Sequence, residues 1–65
     1  MNLLNKRATA SRTSLHPASV MRLVRAGKFP KPVPLGSVRI AFVETEVDAW
    51  IKARIEERDE DQRAV

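Results

Sequence analysis

Apolar residues recur at helical spacing in the middle of this chain. Val20, Leu23 and Val24 lie at positions i, i+3 and i+4, which predicts a helix over residues 17–26 with one apolar face. The flanking residues agree with that range, because proline suits the first position of a helix and glycine suits the residue after its end. They are His16 as the N-cap, Pro17 as the first residue and Gly27 as the stop.

A longer amphipathic stripe predicts a helix from about residue 45 to near residue 58. Its apolar positions are Val47, Trp50, Ile51 and Ile55. Trp50 is the largest of these side chains, and we expect it to anchor the core. The segment from Thr45 to Asp48 resembles a capping box at the start of the helix. Because acids near the C-terminal end oppose the helix dipole, we expect fraying after Arg58.

The remaining segments predict a first helix and a β-hairpin. Residues 5–13 favour a short helix, followed by a break at residues 14–16. Prolines at 30, 32 and 34 enforce an extended path, and Pro34 confines its strand to an edge of a sheet. We expect a hairpin over residues 33–42 that turns at Gly36-Ser37. Leu35, Ile40 and Phe42 are expected to share one of its sides.

These elements predict a mainly α fold with a small β-hairpin, in the order helix, turn, helix, hairpin, helix. Two short helices joined by a three-residue break are typical of a helix-turn-helix, and the hairpin would be its wing. We expect a winged helix-turn-helix domain at residues 1–58 and a frayed acidic tail at residues 59–65. In that geometry the second helix enters the major groove of DNA.

Charge is segregated along the chain. Residues 1–43 carry eight of the twelve Lys and Arg residues and no acid, whereas residues 44–65 carry all eight acids. A half with a charge of +8 repels itself unless it meets a polyanion, and nucleic acid is the commonest one. We therefore expect the partner to be nucleic acid.

Composition excludes several other classes. The chain has no Cys, so it cannot form a disulfide or a thiolate zinc site, and its lone His16 cannot build a metal site by itself. No apolar run reaches the ~20 residues of a membrane span, and the N-terminus does not resemble a signal peptide. No carboxylate pair stands with a His partner, so we expect neither an enzyme nor a cofactor or small-molecule ligand.

The outward face of the second predicted helix is the candidate DNA reader. Arg22 and Arg25 lie opposite its apolar face, with Ala18 and Ser19 as small neighbours. An arginine can bind O6 and N7 of guanine with two parallel hydrogen bonds. Lys28 and Lys31 follow the helix and suit phosphates, and the turn with Ser37 and Arg39 suits the DNA backbone or minor groove.

At these motifs the chain resembles the AlpA-type regulators, which are related to phage excisionases and to the MerR-like winged helix-turn-helix. The resemblance covers roughly residues 3–55. Two linked motifs carry it, Gly27-Lys28-Phe29-Pro30-Lys31-Pro32 and Glu46-Val47-Asp48-Ala49-Trp50, with Leu3-Leu4, residues 20–26, Leu35-Gly36 and residues 42–45 around them.

The resemblance implies a small DNA-binding protein of a prophage, in the bacterial cytoplasm, that activates transcription or directs excision by bending DNA. Double-stranded DNA is the implied partner, with an integrase or neighbouring copies beside it. By position, Ser19 and Arg22 match the family's DNA-contacting helix and Arg39 matches its wing. The full set of predicted DNA-binding residues is Ser19, Arg22, Arg25, Lys28, Lys31, Ser37 and Arg39.

The chain departs from the family pattern at three places. Ser14 stands where the family favours Gly, His16-Pro17 where it favours Ser or Thr, and Met21 where it favours Tyr. The first change loosens the turn, and the second alters residues near DNA, so the family's sequence preference does not transfer.

A second class of function stays open on the sequence alone. The acidic third helix would suit a protein-interaction module that binds another protein without DNA, and the two helix arginines would then be an ordinary solvated face. Loss of DNA binding with retained capture of a protein partner would favour that alternative.

Overall fold

The computed structural model describes residues 2–63, and over that range it contains three helices and a small antiparallel sheet. The elements are β1 (Leu3–Leu4), α1 (Lys6–Thr13), α2 (Pro17–Arg25), β2 (Val33–Pro34), β3 (Ile40–Val43) and α3 (Glu44–Arg63). The strand order is β1-β3-β2, so β3 is central. This mainly helical arrangement is compatible with the predicted winged helix-turn-helix.

The predicted first two helices are confirmed, and side chains cap the start of each. The Asn5 side-chain oxygen accepts a hydrogen bond from the Ala8 N–H at 2.7 Å. His16 Nδ1 accepts one from the Ala18 N–H at 3.1 Å, as expected of an N-cap residue. Both caps satisfy amide groups that the first turn of a helix leaves without an intrahelical partner.

The two helices also end in the same way, with a left-handed residue after the last turn. That residue is Ser14 after α1, with φ 59°, and Gly27 after α2, with φ 73°. At both ends the amide of the following residue donates to the carbonyl five positions earlier, at 3.0 Å after α1 and 2.9 Å after α2. Glycine adopts this conformation freely, whereas a serine is strained by its Cβ.

We therefore predict that Ser14→Gly stabilises the protein. Removing the Cβ relieves the strain of the left-handed backbone in the folded state. Glycine also has greater conformational freedom in the unfolded chain, which offsets part of this gain. The net increase in the free energy of unfolding should be about 0.5–1 kcal/mol. Gly27→Ala is the matched control, because an added Cβ would meet no atom within 4 Å and only backbone strain would change. The melting temperature should rise for Ser14→Gly and fall for Gly27→Ala. Equal shifts in both variants would contradict backbone strain at Ser14.

The sheet contains one strand that the sequence did not predict. Leu3 pairs with Val43 and Leu4 pairs with Phe42, so β1 lies beside β3 at the edge opposite β2. The Glu44 N–H also donates to the Asn2 carbonyl at 2.9 Å. The start of the chain is thereby tied to the beginning of α3.

The hairpin is present, but its turn differs from the prediction. Pro34 pairs with Ile40, and the Leu35 N–H donates to the Arg39 carbonyl at 2.8 Å. The loop therefore has three residues, 36–38, rather than the two predicted. This register places Leu35 on the sheet face opposite Ile40 and Phe42, so the prediction that the three share a side is wrong.

The centre of the core lies under β3 rather than at Trp50. Phe42, Val20 and Val47 are fully buried. The Phe29 ring packs edge to face against the Phe42 ring, with the ring centroids 5.5 Å apart. Trp50 is only half-buried and packs on the rim of this cluster. The prediction of Trp50 as the core anchor is wrong, because its indole is only half-buried and its N–H donates to the Lys28 carbonyl just after α2.

The third helix starts earlier and ends later than predicted. It begins at Glu44 directly after β3, so Thr45 lies inside the helix and does not cap it. It continues to Arg63 instead of ending near Arg58, since residues 59–63 contain no glycine or proline. Residues 64 and 65 of the predicted tail lie outside the described range. Of the described helices, none combines the length and apolar character needed to cross a bilayer.

Candidate nucleic-acid interface

The second helix separates its charged side chains from the core. Val20 is fully buried on the inner face, whereas Arg22 and Arg25 are exposed on the other side. Ala18 is exposed and Ser19 is partly buried near the start of the helix. The outward face thus presents two long cations beside small side chains, which allows close approach to another surface.

The segment after α2 is held by the third helix. Trp50 Nε1 donates to the Lys28 carbonyl at 2.8 Å, and its ring packs against Phe29 with centroids 4.8 Å apart. The side chains of Lys28 and Lys31 remain exposed beyond these contacts. Trp50 therefore fixes the backbone at the end of α2 while the two ammonium groups stay in solvent.

The hairpin carries the remaining two predicted residues. Ser37 lies in the three-residue loop and Arg39 directly after it, and both are exposed. Arg39 lines a groove together with Lys6 and Arg7 from the start of α1. The structure thus adds two cations that sequence reasoning missed, because the pairing of β1 with β3 that brings them there was not predicted.

Among the described side chains, Arg12 is the one cation of the basic half that is ion-paired with acids. Arg12 donates to Asp48 at 2.8 Å and to Glu44 at 3.0 Å, and these contacts tie α1 to α3. The hydrogen bond and charge of Asp48, with a smaller contribution from Glu44, raise the pKa of the Arg12 guanidinium. The other ion pairs, Arg54 with Glu57 and Arg58 with Asp59, lie within α3.

Within the described side chains, the predicted DNA-binding cations make no ion pair. Among the side chains of residues 2–61, no acid lies within 4.0 Å of a predicted DNA-binding cation. These cations are Arg22, Arg25, Lys28, Lys31 and Arg39. Their charge is left for an external anion. The same part of the chain holds no cluster of His, Cys, Asp and Glu that could bind a metal ion.

Comparison with known proteins identifies one family. The family described as prophage CP4-57 regulatory protein (AlpA) matches residues 2–55. A protein named "Uncharacterized protein ORF88" of Enterobacteria phage P4 is 40% identical over 38 residues, which is 58% of this chain and 43% of that protein. The chain therefore spans less than half of the length of this relative. No solved structure gives a significant match.

Proposed function

Because this chain belongs to the AlpA family of prophage regulatory proteins, we propose that it binds double-stranded DNA in a sequence-specific manner. In this proposal it is a winged helix-turn-helix whose reading helix is α2 and whose wing is the β2–β3 hairpin. It would regulate transcription of a mobile element or direct its excision, and both roles require the same contacts with DNA.

The observation that carries this proposal is the outward face of α2. The opposite face of that helix is fixed in the core by Val20, so Arg22 and Arg25 project from a rigid element. An α-helix fits the major groove, and a guanidinium there can bind guanine through two hydrogen bonds. In this proposal Ser19, near the start of the helix and partly exposed, supplies a hydroxyl that donates or accepts at a base edge or a phosphate.

The remaining cations suit the DNA backbone. Lys28 and Lys31 follow the helix, and Arg39 follows the hairpin loop, so they lie beside the reading helix rather than on it. Phosphate contacts fix the position of a protein on DNA, while base contacts discriminate between sequences. We assign Lys28, Lys31, Ser37 and Arg39 to the backbone, and no residue to catalysis.

This division between base contacts and phosphate contacts predicts that Lys31→Ala and Arg39→Ala weaken binding to all DNA sequences about equally. Each should reduce the slope of log K against log salt by about one, since each removes one phosphate contact. The measurement is a titration on a site selected from random duplexes and on its scrambled version. Lys52→Ala is the control, because Lys52 is exposed on α3 and should leave both affinities unchanged.

The outcome that contradicts the assignment is a selective one. If Arg39→Ala weakened binding to the selected site and left the scrambled duplex unaffected, the hairpin would be the reader of sequence. If Lys52→Ala weakened binding as much as Lys31→Ala, the DNA would lie against α3.

A further inference from the structure

Exposed apolar side chains gather at one groove of the molecule. Leu3, Leu35 and Val38 line a groove of about 550 Å³ between the start of α1 and the hairpin. Their exposed fractions are 45%, 53% and 87%. Large apolar side chains grouped in this way on a small domain mark a surface that binds another protein.

The rim of this groove is basic. Lys6, Arg7 and Arg39 line it together with the apolar residues, and among the described residues Asn5 is the only other polar one that lines it. Among the side chains of residues 2–61, Lys6 and Arg7 make no ion pair. A suitable occupant is therefore apolar in part and acidic in part. We call this surface the apolar-basic groove.

The far end of α3 has that chemistry. Ile55 is 44% exposed, and it precedes a run that contains Glu56, Glu60 and Asp61. Arg54 and Arg58 engage Glu57 and Asp59, and within the described side chains the other three acids have no ion-pair partner. We call residues 55–61 the acidic helix end.

The acidic helix end is largely exposed to solvent. The side chains of residues 52–61 are exposed except for Asp59, which is half-buried. The molecule measures 48 × 24 × 19 Å, and a helix of 20 residues is ~30 Å long. Ile55 borders a different groove, together with Leu15 and Trp50. A straight helix therefore cannot bring Ile55 to the apolar-basic groove of its own chain.

We propose that the acidic helix end of one copy docks in the apolar-basic groove of a second copy. Ile55 would contact Leu35 and Val38, and Glu56 and Glu60 would meet Lys6 and Arg7. The two surfaces differ, so the contact is head-to-tail and leaves one free groove and one free helix end. Neither surface includes Arg22 or Arg25, so copies joined in this way keep the outward face of α2 available.

Two charge-reversal variants test the contact without DNA. The groove variant is Lys6→Glu with Arg7→Glu, and the helix-end variant is Glu56→Lys with Glu60→Lys. Both changes suit the helix dipole, since they place acids in the first turn of α1 and bases toward the end of α3, so folding should persist. Circular dichroism of each variant checks that it does.

Sedimentation equilibrium at low salt should show concentration-dependent association of the wild type beyond a dimer. For each variant alone, the association constant should be at least about tenfold lower than that of the wild type. An equal mixture of the two should regain association, because the intact groove of the helix-end variant meets the intact helix end of the groove variant, and the two reversed surfaces again carry opposite charges. Leu35→Ser should weaken association without changing charge.

Three results would overturn the proposal: a wild type that stays monomeric at millimolar concentration, variants that associate as the wild type does, or a mixture that stays monomeric. Because no DNA is present, any of these results leaves the proposed DNA binding untouched. Conversely, association that follows the prediction would stand even if the protein failed to bind DNA.

Discussion

Replacing Arg22 and Arg25 together by alanine should weaken binding to a selected cognate site by about 2–6 kcal/mol, twice the loss of one bidentate base contact. On scrambled DNA the loss should be much smaller. Both arginines are exposed on α2, and neither pairs with an acid among the described side chains, so their charge and hydrogen-bond donors are uncommitted before DNA arrives.

The control for this variant is Arg12→Gln. Arg12 belongs to the same basic half of the chain, but its guanidinium is engaged by Glu44 and Asp48. DNA affinity should therefore change little when it is replaced. A double variant of Arg22 and Arg25 that binds the selected site as the wild type does would remove α2 as the reader of sequence.

Phe42→Ala should destabilise the fold by about 3–5 kcal/mol. Phe42 is fully buried on the central strand, and its ring contacts Phe29. A domain of this size has a total stability of only ~3–10 kcal/mol, so much of the variant should be unfolded at room temperature. Urea or thermal unfolding followed by circular dichroism measures the loss.

Trp50→Ala is the informative comparison, with an expected loss of about 2–3 kcal/mol because the indole is half-buried. Trp50→Phe would keep an aromatic ring against Phe29 and lose the hydrogen bond to the Lys28 carbonyl, at a cost of about 1 kcal/mol. If Trp50→Ala cost more than Phe42→Ala, the core would be centred on the indole after all.

Local signals in the sequence were sufficient for the first two helices. Pro17 and Gly27 delimit α2, and the i, i+3, i+4 spacing identifies its inner face, so the exposed arginines followed from the pattern alone. These features depend on residues near one another in sequence. Helix caps and periodicity are therefore visible without a structure.

Contacts between distant residues were not predictable in the same way. A strand of two residues, Leu3–Leu4, is too short to show a period, and it forms only because β3 offers an edge. The position of Lys6 and Arg7 beside Arg39 follows from that pairing. The sequence also could not show that Arg12 is held by Glu44 and Asp48 of α3.

The helix α3 extends further than the charges near its C-terminal end favour. Acids near its C-terminal end oppose the helix dipole, which favoured an end near Arg58. The i, i+3 ion pair of Arg54 with Glu57 offsets part of that effect, and residues 59–63 contain no glycine or proline to stop the helix. The additional turns place the acidic helix end in solvent, where a second copy can reach it.

The salt dependence of binding tests the central claim most directly. If about five phosphates are contacted, log K on a mixed-sequence duplex should fall with log salt with a slope of roughly −4 to −5, because each contact releases condensed counterions. Titration of the wild type across a range of salt concentrations gives this slope without knowledge of the target site. A slope of that size supports DNA as the partner of the basic half of the chain, and a slope near zero would contradict it.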